Sequence, residues 1–219
     1  MPSLSEAEIK RRCPLTPESV ELMNDFYSSK INTIIVMGHV GNWELANYAF
    51  NLHCKNDLYA IYKPLSNDYF DLLIRKLRSR WGTNVISIDD VTEVMNKYEM
   101  TGNATGFIAD QRPAPENAYW TIFLNQETPV FRGTEILARR LGYPVVYLST
   151  KRIKRGYYQV HIETLIEQPK STQKDEISEI HTRRLEQDII EQPEAWLWTH
   201  RRWRDKIPES KSKIQIPNK

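Results

Sequence analysis

A histidine and a glutamate five residues apart, His39 and Glu44, sit in the segment Met37-Gly38-His39-Val40-Gly41-Asn42-Trp43-Glu44. A neutral imidazole accepts a proton, and a nearby carboxylate fixes its tautomer and stabilises the imidazolium that forms. The pair therefore suits general-base work on a hydroxyl. No serine elbow accompanies it, so the attacking oxygen belongs to a substrate, and transfer of an acyl or phosphoryl group fits. The spacing alone is weak evidence. A histidine bonded to backbone at a strand-helix turn, with a glutamate favourable in the first helical turn, accounts for it equally well. His39, His53, His161, His181 and His200 are isolated and form no H-E-x-x-H pattern, so no metal site is expected. Phosphoryl transfer from a nucleotide is disfavoured, because no phosphate-loop or kinase glycine signature is present.

The elements around this pair read as alternating strands and helices. The β-branched run Thr33–Met37 predicts a buried strand, broken by Gly38 and followed by a helix over Asn42–His53. A strand-turn-helix junction puts polar residues at the carboxyl end of a strand, where open α/β sheets bind ligands. Further strands are expected at Asp57–Tyr62, Asn84–Ile88 and Ala104–Ala109, with helices from Asn67 to Trp81 and over Asp89–Met100. In the helix opened by Asn67, the spacing assigns Phe70, Leu73, Ile74, Leu77 and Trp81 to the core. Residues 111–117 read as an exposed loop beyond a strand end, and Trp120–Leu124 as a short strand. A helix over Glu135–Leu141 precedes an antiparallel hairpin of Tyr143–Lys151 and Gly156–Leu165. A long helix starting at Ser171 or Thr172 ends near Ile190, and Pro193 opens a last element holding Trp196, Trp198, His200 and Trp203. Residues 1–30 read as helical, with Ser3 or Ser5 and Thr16 as caps. This alternation predicts a single α/β domain over residues 1–207, with a mainly parallel central sheet flanked by helices. A disordered basic tail is expected over 208–219.

Composition agrees with a globular chain. Of 219 residues 40% are hydrophobic and 26% charged, and the net charge of +2 is too small to imply nucleic acid as a partner. Cys13 and Cys54 form no paired motif, which suggests neither a disulfide framework nor zinc. No apolar run is long enough to span a bilayer. The charge is clustered, at Lys151–Arg155 and at Arg201–Lys206. The six tryptophans and eleven tyrosines suit either a bulky core or a membrane interface.

Gly38-His39-Val40-Gly41-Asn42-Trp43-Glu44 resembles the signature of the bacterial lipid A biosynthesis acyltransferases, a branch of the glycerolipid and lysophospholipid acyltransferase superfamily. Three later stretches match in order: Tyr62-Lys63-Pro64 with Asn67 and Arg78; Ala109-Asp110-Gln111; and Trp196-Leu197-Trp198-Thr199-His200-Arg201-Arg202-Trp203. Phe131-Arg132-Gly133-Thr134 sits where that family places its substrate-binding strand-to-helix step. The combination spans Glu6 to Trp203 and is far more specific than H-x4-E.

The resemblance implies a glycerolipid acyltransferase-like fold with His39 as general base and Glu44 as its partner. It places Lys63, Asn67, Arg78, Asp110, Gln111 and Arg132 in substrate binding. Lys63 departs from the family's usual arginine, which removes the rigid two-pronged phosphate geometry. Arg132 suits an acceptor phosphate or the developing oxyanion, and Asp110 suits substrate binding or the anchoring of its own loop. The implied reaction moves an acyl group from acyl carrier protein or coenzyme A, as co-substrate and without a cofactor, to a hydroxyl of a lipid A precursor or related glycolipid. Relatives carry a hydrophobic anchor ahead of the signature histidine. With no such anchor before His39, the chain is expected to be either a truncated form or a naturally short homologue, associating in this anchor-less form peripherally with an anionic membrane surface at the cytoplasmic face of the bacterial inner membrane. The Trp-rich stretch either packs as a C-terminal helix with Arg201, Arg202 and Arg204 outside or engages headgroups and carrier. Two rivals use the same residues: a hydrolase passing the acyl group to water, and a silent module binding membrane or carrier.

Overall fold

Strand β1 (Thr33–Met37) is hydrogen-bonded on both sides and lies between β4 (Ala104–Ile108) and β7 (Val145–Lys154). In the computed structural model, which describes residues 4–208, the sheet continues through β2 (Leu58–Tyr62), β3 (Asn84–Ser87) and β8 (Tyr157–Ile166). The order is β3-β2-β4-β1-β7-β8. All neighbours are parallel except β7 and β8, which form the expected antiparallel hairpin.

The near-continuous apolar run of β1 follows from burial on both faces. Ile35 joins Leu45, Ala46, Ala49 and Phe50 of α3 (Trp43–His53) in one core, which also takes Ile9 of α1 (Glu6–Arg12) and Met23 of α2 (Pro17–Ser28). Ile34 and Val36 point the other way, into a core with Met95 of α5 (Val91–Asn96) and Leu137 of α6 (Gly133–Leu141). Ile177 of α7 (Glu176–Glu191) completes that second layer. Side-chain alternation along one strand thus sets which helices cover which face. The caps are those the sequence offers: Ser5 accepts from Glu8 N–H, Thr16 from Ser19 N–H, and Pro17 takes the first helical position of α2.

Three expectations are corrected, and the expected short strand over Trp120–Leu124 is found and extended into a hairpin. Helix α4 (Asp68–Arg78) has no buried residue, and Phe70 and Leu73 face outward rather than into the core. Trp120–Leu124 is half of an antiparallel hairpin, β5 (Tyr119–Phe123) and β6 (Gln126–Val130), that packs on α7 through Arg183, which donates to Thr121 Oγ1 at 3.1 Å. Helix α5 is shorter than Asp89–Met100. Helix α7 begins at Glu176 because residues 169–171 form a 3-10 turn and Asp175 takes a left-handed φ of 70°. The tail expected to be disordered lies, from residue 209 on, outside the described residues.

Candidate active site

The strand register builds the site. Met37 of β1 is paired with Ile108 of the parallel β4, so His39 and Asp110 each stand two residues past a matched pair on adjacent strands. The chain from β1 runs through α3 to β2, while that from β4 runs to β7 on the other side of β1, so connections diverge at this boundary. Such a switch point leaves a crevice at the carboxyl ends of the strands.

The carboxylate on His39 is Asp110. His39 Nδ1 lies 2.6 Å from Asp110 Oδ1, and the His39 backbone N–H donates to Oδ2 at 3.0 Å. Trp196 Nε1 donates to the same Oδ2 at 2.9 Å. Burial drives the Asp110 carboxyl up, but the hydrogen bonds and charge of His39, the Trp196 donor and the backbone N–H outweigh it and hold it below its ordinary value. An ionised carboxylate only accepts, so Nδ1 carries the hydrogen and Nε2 presents its lone pair. This is the tautomer a general base requires. The Trp43 ring meets the imidazole edge-on with centroids 4.9 Å apart.

Glu44 does not hold the imidazole, which corrects the expected dyad. Its carboxylate is gripped by Arg78 at the end of α4, with Nε at 3.0 and 3.2 Å from the two oxygens and Nη2 at 2.6 Å. Glu44 stands in the first turn of α3, where it meets the end of α4. Both side chains line a cavity of about 60 Å³ between α3 and the sheet. Apart from Asn47 its remaining walls are apolar and include Met37, Phe50 and Ile108. Gly106, in mid-strand, also lines this cavity.

The other expected substrate residues divide. Asn67 caps α4, its Oδ1 accepting from the N–H groups of Tyr69 and Phe70 at 3.1 and 3.2 Å. Arg132 is committed to Asp175, Nε to Oδ1 2.8 Å, and joins the start of α6 to that of α7. Lys63 and Gln111 are solvent-exposed, beyond β2 and β4 respectively.

The Trp-rich stretch belongs to the site, and neither as a helix nor with its arginines all outside. Residues 193–195 make one 3-10 turn and the chain then continues irregularly. Gly41 N–H donates to Ala195 O at 2.9 Å and Leu197 N–H to His39 O at 3.1 Å, so the segment straps the histidine turn. Trp196 is buried, and His200 Nε2 accepts from the Arg112 N–H at 3.0 Å. Arg202 is 2% exposed, with its guanidinium 4.8 Å from the Phe123 ring centroid. Sequence reasoning missed the Trp196–Asp110 bond. Its one clue was that a buried indole N–H needs an acceptor.

His181 of α7 is buried next to this guanidinium's field, and burial together with Arg202 pushes it down to about 4. A histidine titrates near 6.5 when unfolded, so the folded chain resists protonation. The stability this represents is complete above about pH 6.5 and is lost as pH falls toward 4. Urea unfolding of wild type is therefore expected to lose roughly 2–3 kcal/mol between pH 7 and about pH 4.5 through this group, and His181→Asn should flatten that slope.

Fold and site together define an α/β protein with a hydrogen-bonded histidine-carboxylate pair at a sheet switch point. The chain matches the family model described as bacterial lipid A biosynthesis acyltransferase over residues 2–205 of its 219. It belongs to that family and is an acyltransferase. No curated protein matches it significantly. Among the described residues no helix is long and apolar enough to cross a membrane.

Proposed function

We propose that the protein transfers a fatty acyl group from the thioester of acyl carrier protein or coenzyme A to a hydroxyl of a lipid A precursor or related glycolipid. The observation that carries this reading is the His39–Asp110 pair, Nδ1 to Oδ1 2.6 Å, with Nε2 left as acceptor. Nε2 removes the proton of the lipid hydroxyl as its oxygen attacks the thioester carbonyl. The C–S bond breaks as the tetrahedral intermediate collapses, and the proton on Nε2 passes to the departing thiolate. Asp110 stabilises the imidazolium between those two events without itself taking the proton.

Glu44 serves in this scheme as a positioning residue. It fixes the Arg78 guanidinium in the wall of the largely apolar cavity, where an arginine suits an acceptor phosphate and the cavity suits methylenes of a lipid chain. Exposed Lys63 and Gln111 lie beyond strand ends, as substrate contacts would. Arg132, paired with Asp175, is better suited to holding α6 against α7 than to meeting substrate. The reaction calls for peripheral attachment at the cytoplasmic face of the inner membrane, where both thioester donors and lipid acceptors are within reach.

The test is transfer of a labelled acyl group from each thioester to a lipid extract containing lipid A precursors, with products identified by mass. A new acylated lipid that disappears in His39→Ala is the expected result. Free fatty acid alone would move the assignment to a hydrolase. Product formation that survives His39→Ala would overturn the base mechanism.

A further inference from the structure

Helix α4 carries its apolar side outward. Tyr69 is 88% exposed, Phe70 61%, Leu72 65% and Leu73 49%, and Leu65 just ahead of the helix is 47% exposed. The helix is held from its other side: Ile74 and Leu77 are half-buried, Asp71 accepts from Leu65 N–H at 2.9 Å, and Arg78 is clamped by Glu44. Single apolar side chains on a surface are ordinary, but a contiguous row of large ones marks an interaction site. In the C-terminal stretch Trp196 is buried against Phe123 and Trp203 is half-buried beside it, which leaves Trp198, 51% exposed, as a single ring rather than a row.

Charge selects the occupant. Lys63, Arg75, Lys76 and Arg80 are exposed on this stretch, against one exposed acid, Asp68. Helical spacing puts Lys76 beside Tyr69, Leu72 and Leu73, at seven, four and three residues. A second copy of the chain would bring these cations face to face. A lysine within an apolar face instead suits a surface where its stem lies along hydrocarbon and its ammonium reaches anionic headgroups. Tyr69 is likewise an amphipathic ring of the kind that favours the headgroup level.

We infer that α4 is the membrane-docking element of this protein and lies in the interfacial layer of an anionic phospholipid bilayer. The inference rests on the reading above that the acceptor is a lipid. Arg78 ends the helix and also lines the cavity, so docking of α4 brings this part of the cavity wall near the surface from which such an acceptor arrives.

Co-sedimentation with sucrose-loaded vesicles of phosphatidylcholine, with and without phosphatidylglycerol, tests it. Wild type is expected to bind the anionic vesicles and to release as salt is raised. Phe70→Ser/Leu73→Ser should weaken binding more than tenfold, because two partly inserted side chains are lost. Lys76→Gln should weaken it about fivefold on anionic vesicles and leave binding to neutral ones unchanged. Both variants alter exposed positions, so an unchanged thermal midpoint verifies that the fold is intact. Vesicle binding equal to wild type in the double variant overturns the inference. So does a wild-type dimer that ignores vesicles and is dissociated by Phe70→Ser/Leu73→Ser, since a second copy would then cover the face. Acyl transfer to detergent-dispersed acceptor is read separately. The double variant should retain it, whereas its absence in wild type would count against the proposed chemistry and leave the vesicle result standing.

Discussion

Asp110→Asn is expected to lower kcat by roughly 10³–10⁴-fold, close to the loss caused by His39→Ala. The carboxylate accepts three hydrogen bonds: His39 Nδ1 at 2.6 Å on one oxygen, and the His39 backbone N–H at 3.0 Å and Trp196 Nε1 at 2.9 Å on the other. An asparagine has only one accepting oxygen. If that oxygen faces Nδ1, the amide nitrogen confronts two N–H donors in a buried site, each left without an acceptor. If the amide turns over, its NH₂ donates to Nδ1 and the imidazole must carry its hydrogen on Nε2. In that tautomer Nε2 cannot take a proton from the substrate. The first outcome weakens the base, because the charge that stabilises the imidazolium is gone, and the second stops it with little change of shape.

Glu44→Gln supplies the contrast that identifies the true partner. Were Glu44 the carboxylate on His39, both substitutions would remove kcat alike. With Glu44 bound to Arg78, its substitution loosens the guanidinium and should act chiefly on KM for the lipid acceptor. Steady-state kinetics of the two variants side by side decide the matter. A loss of kcat in Glu44→Gln equal to that in Asp110→Asn would sink the assignment.

That pairing shows where a sequence stops being legible. His39 and Glu44 are neighbours along the chain, and their spacing draws the eye, whereas His39 and Asp110 meet only because Met37 is in register with Ile108. Register depends on which strands pair, and no local pattern encodes that. The strands themselves were readable, because β1 and β4 are buried apolar runs bounded by turns. The β5–β6 hairpin was only half visible. Leu124 and Asn125 both adopt positive φ, 49° and 61°, in a tight turn that contains no glycine to announce it. Helix α4 shows a different limit. Its periodicity defines an apolar face correctly, but the same spacing serves a core or a surface that meets another body, and only exposure distinguishes them. Arg202 shows a third: the arginine expected outside has its guanidinium over the Phe123 ring, inside the segment that straps the site.

Gly41→Ala should destabilise the protein by roughly 2–4 kcal/mol, a fall in Tm of about 6–12 °C for a chain of this size. Two costs combine at this position. Its φ of +63° is left-handed, which an alanine adopts at a cost of about 1 kcal/mol or more. The new methyl group would also stand 2.7 Å from the backbone oxygen of Thr150, which cannot rotate away as a side chain can. Gly82→Ala separates the two effects: its φ is +101°, but a methyl group there would lie 3.9 Å from its nearest neighbour, Asn51 Oδ1. That variant bears the conformational cost alone, and its Tm should fall by only a few degrees. Activity should divide them further. Gly41 stands two residues past His39 and donates to Ala195 O at 2.9 Å, so relief of the Thr150 clash drags the strap and the histidine turn together. A displacement of about 1 Å between base and substrate can cost 10²-fold in rate. Calorimetry and kinetics on both variants measure this directly, and equal, mild losses of stability with full activity in each would show that the turn at Gly41 does not set the position of His39.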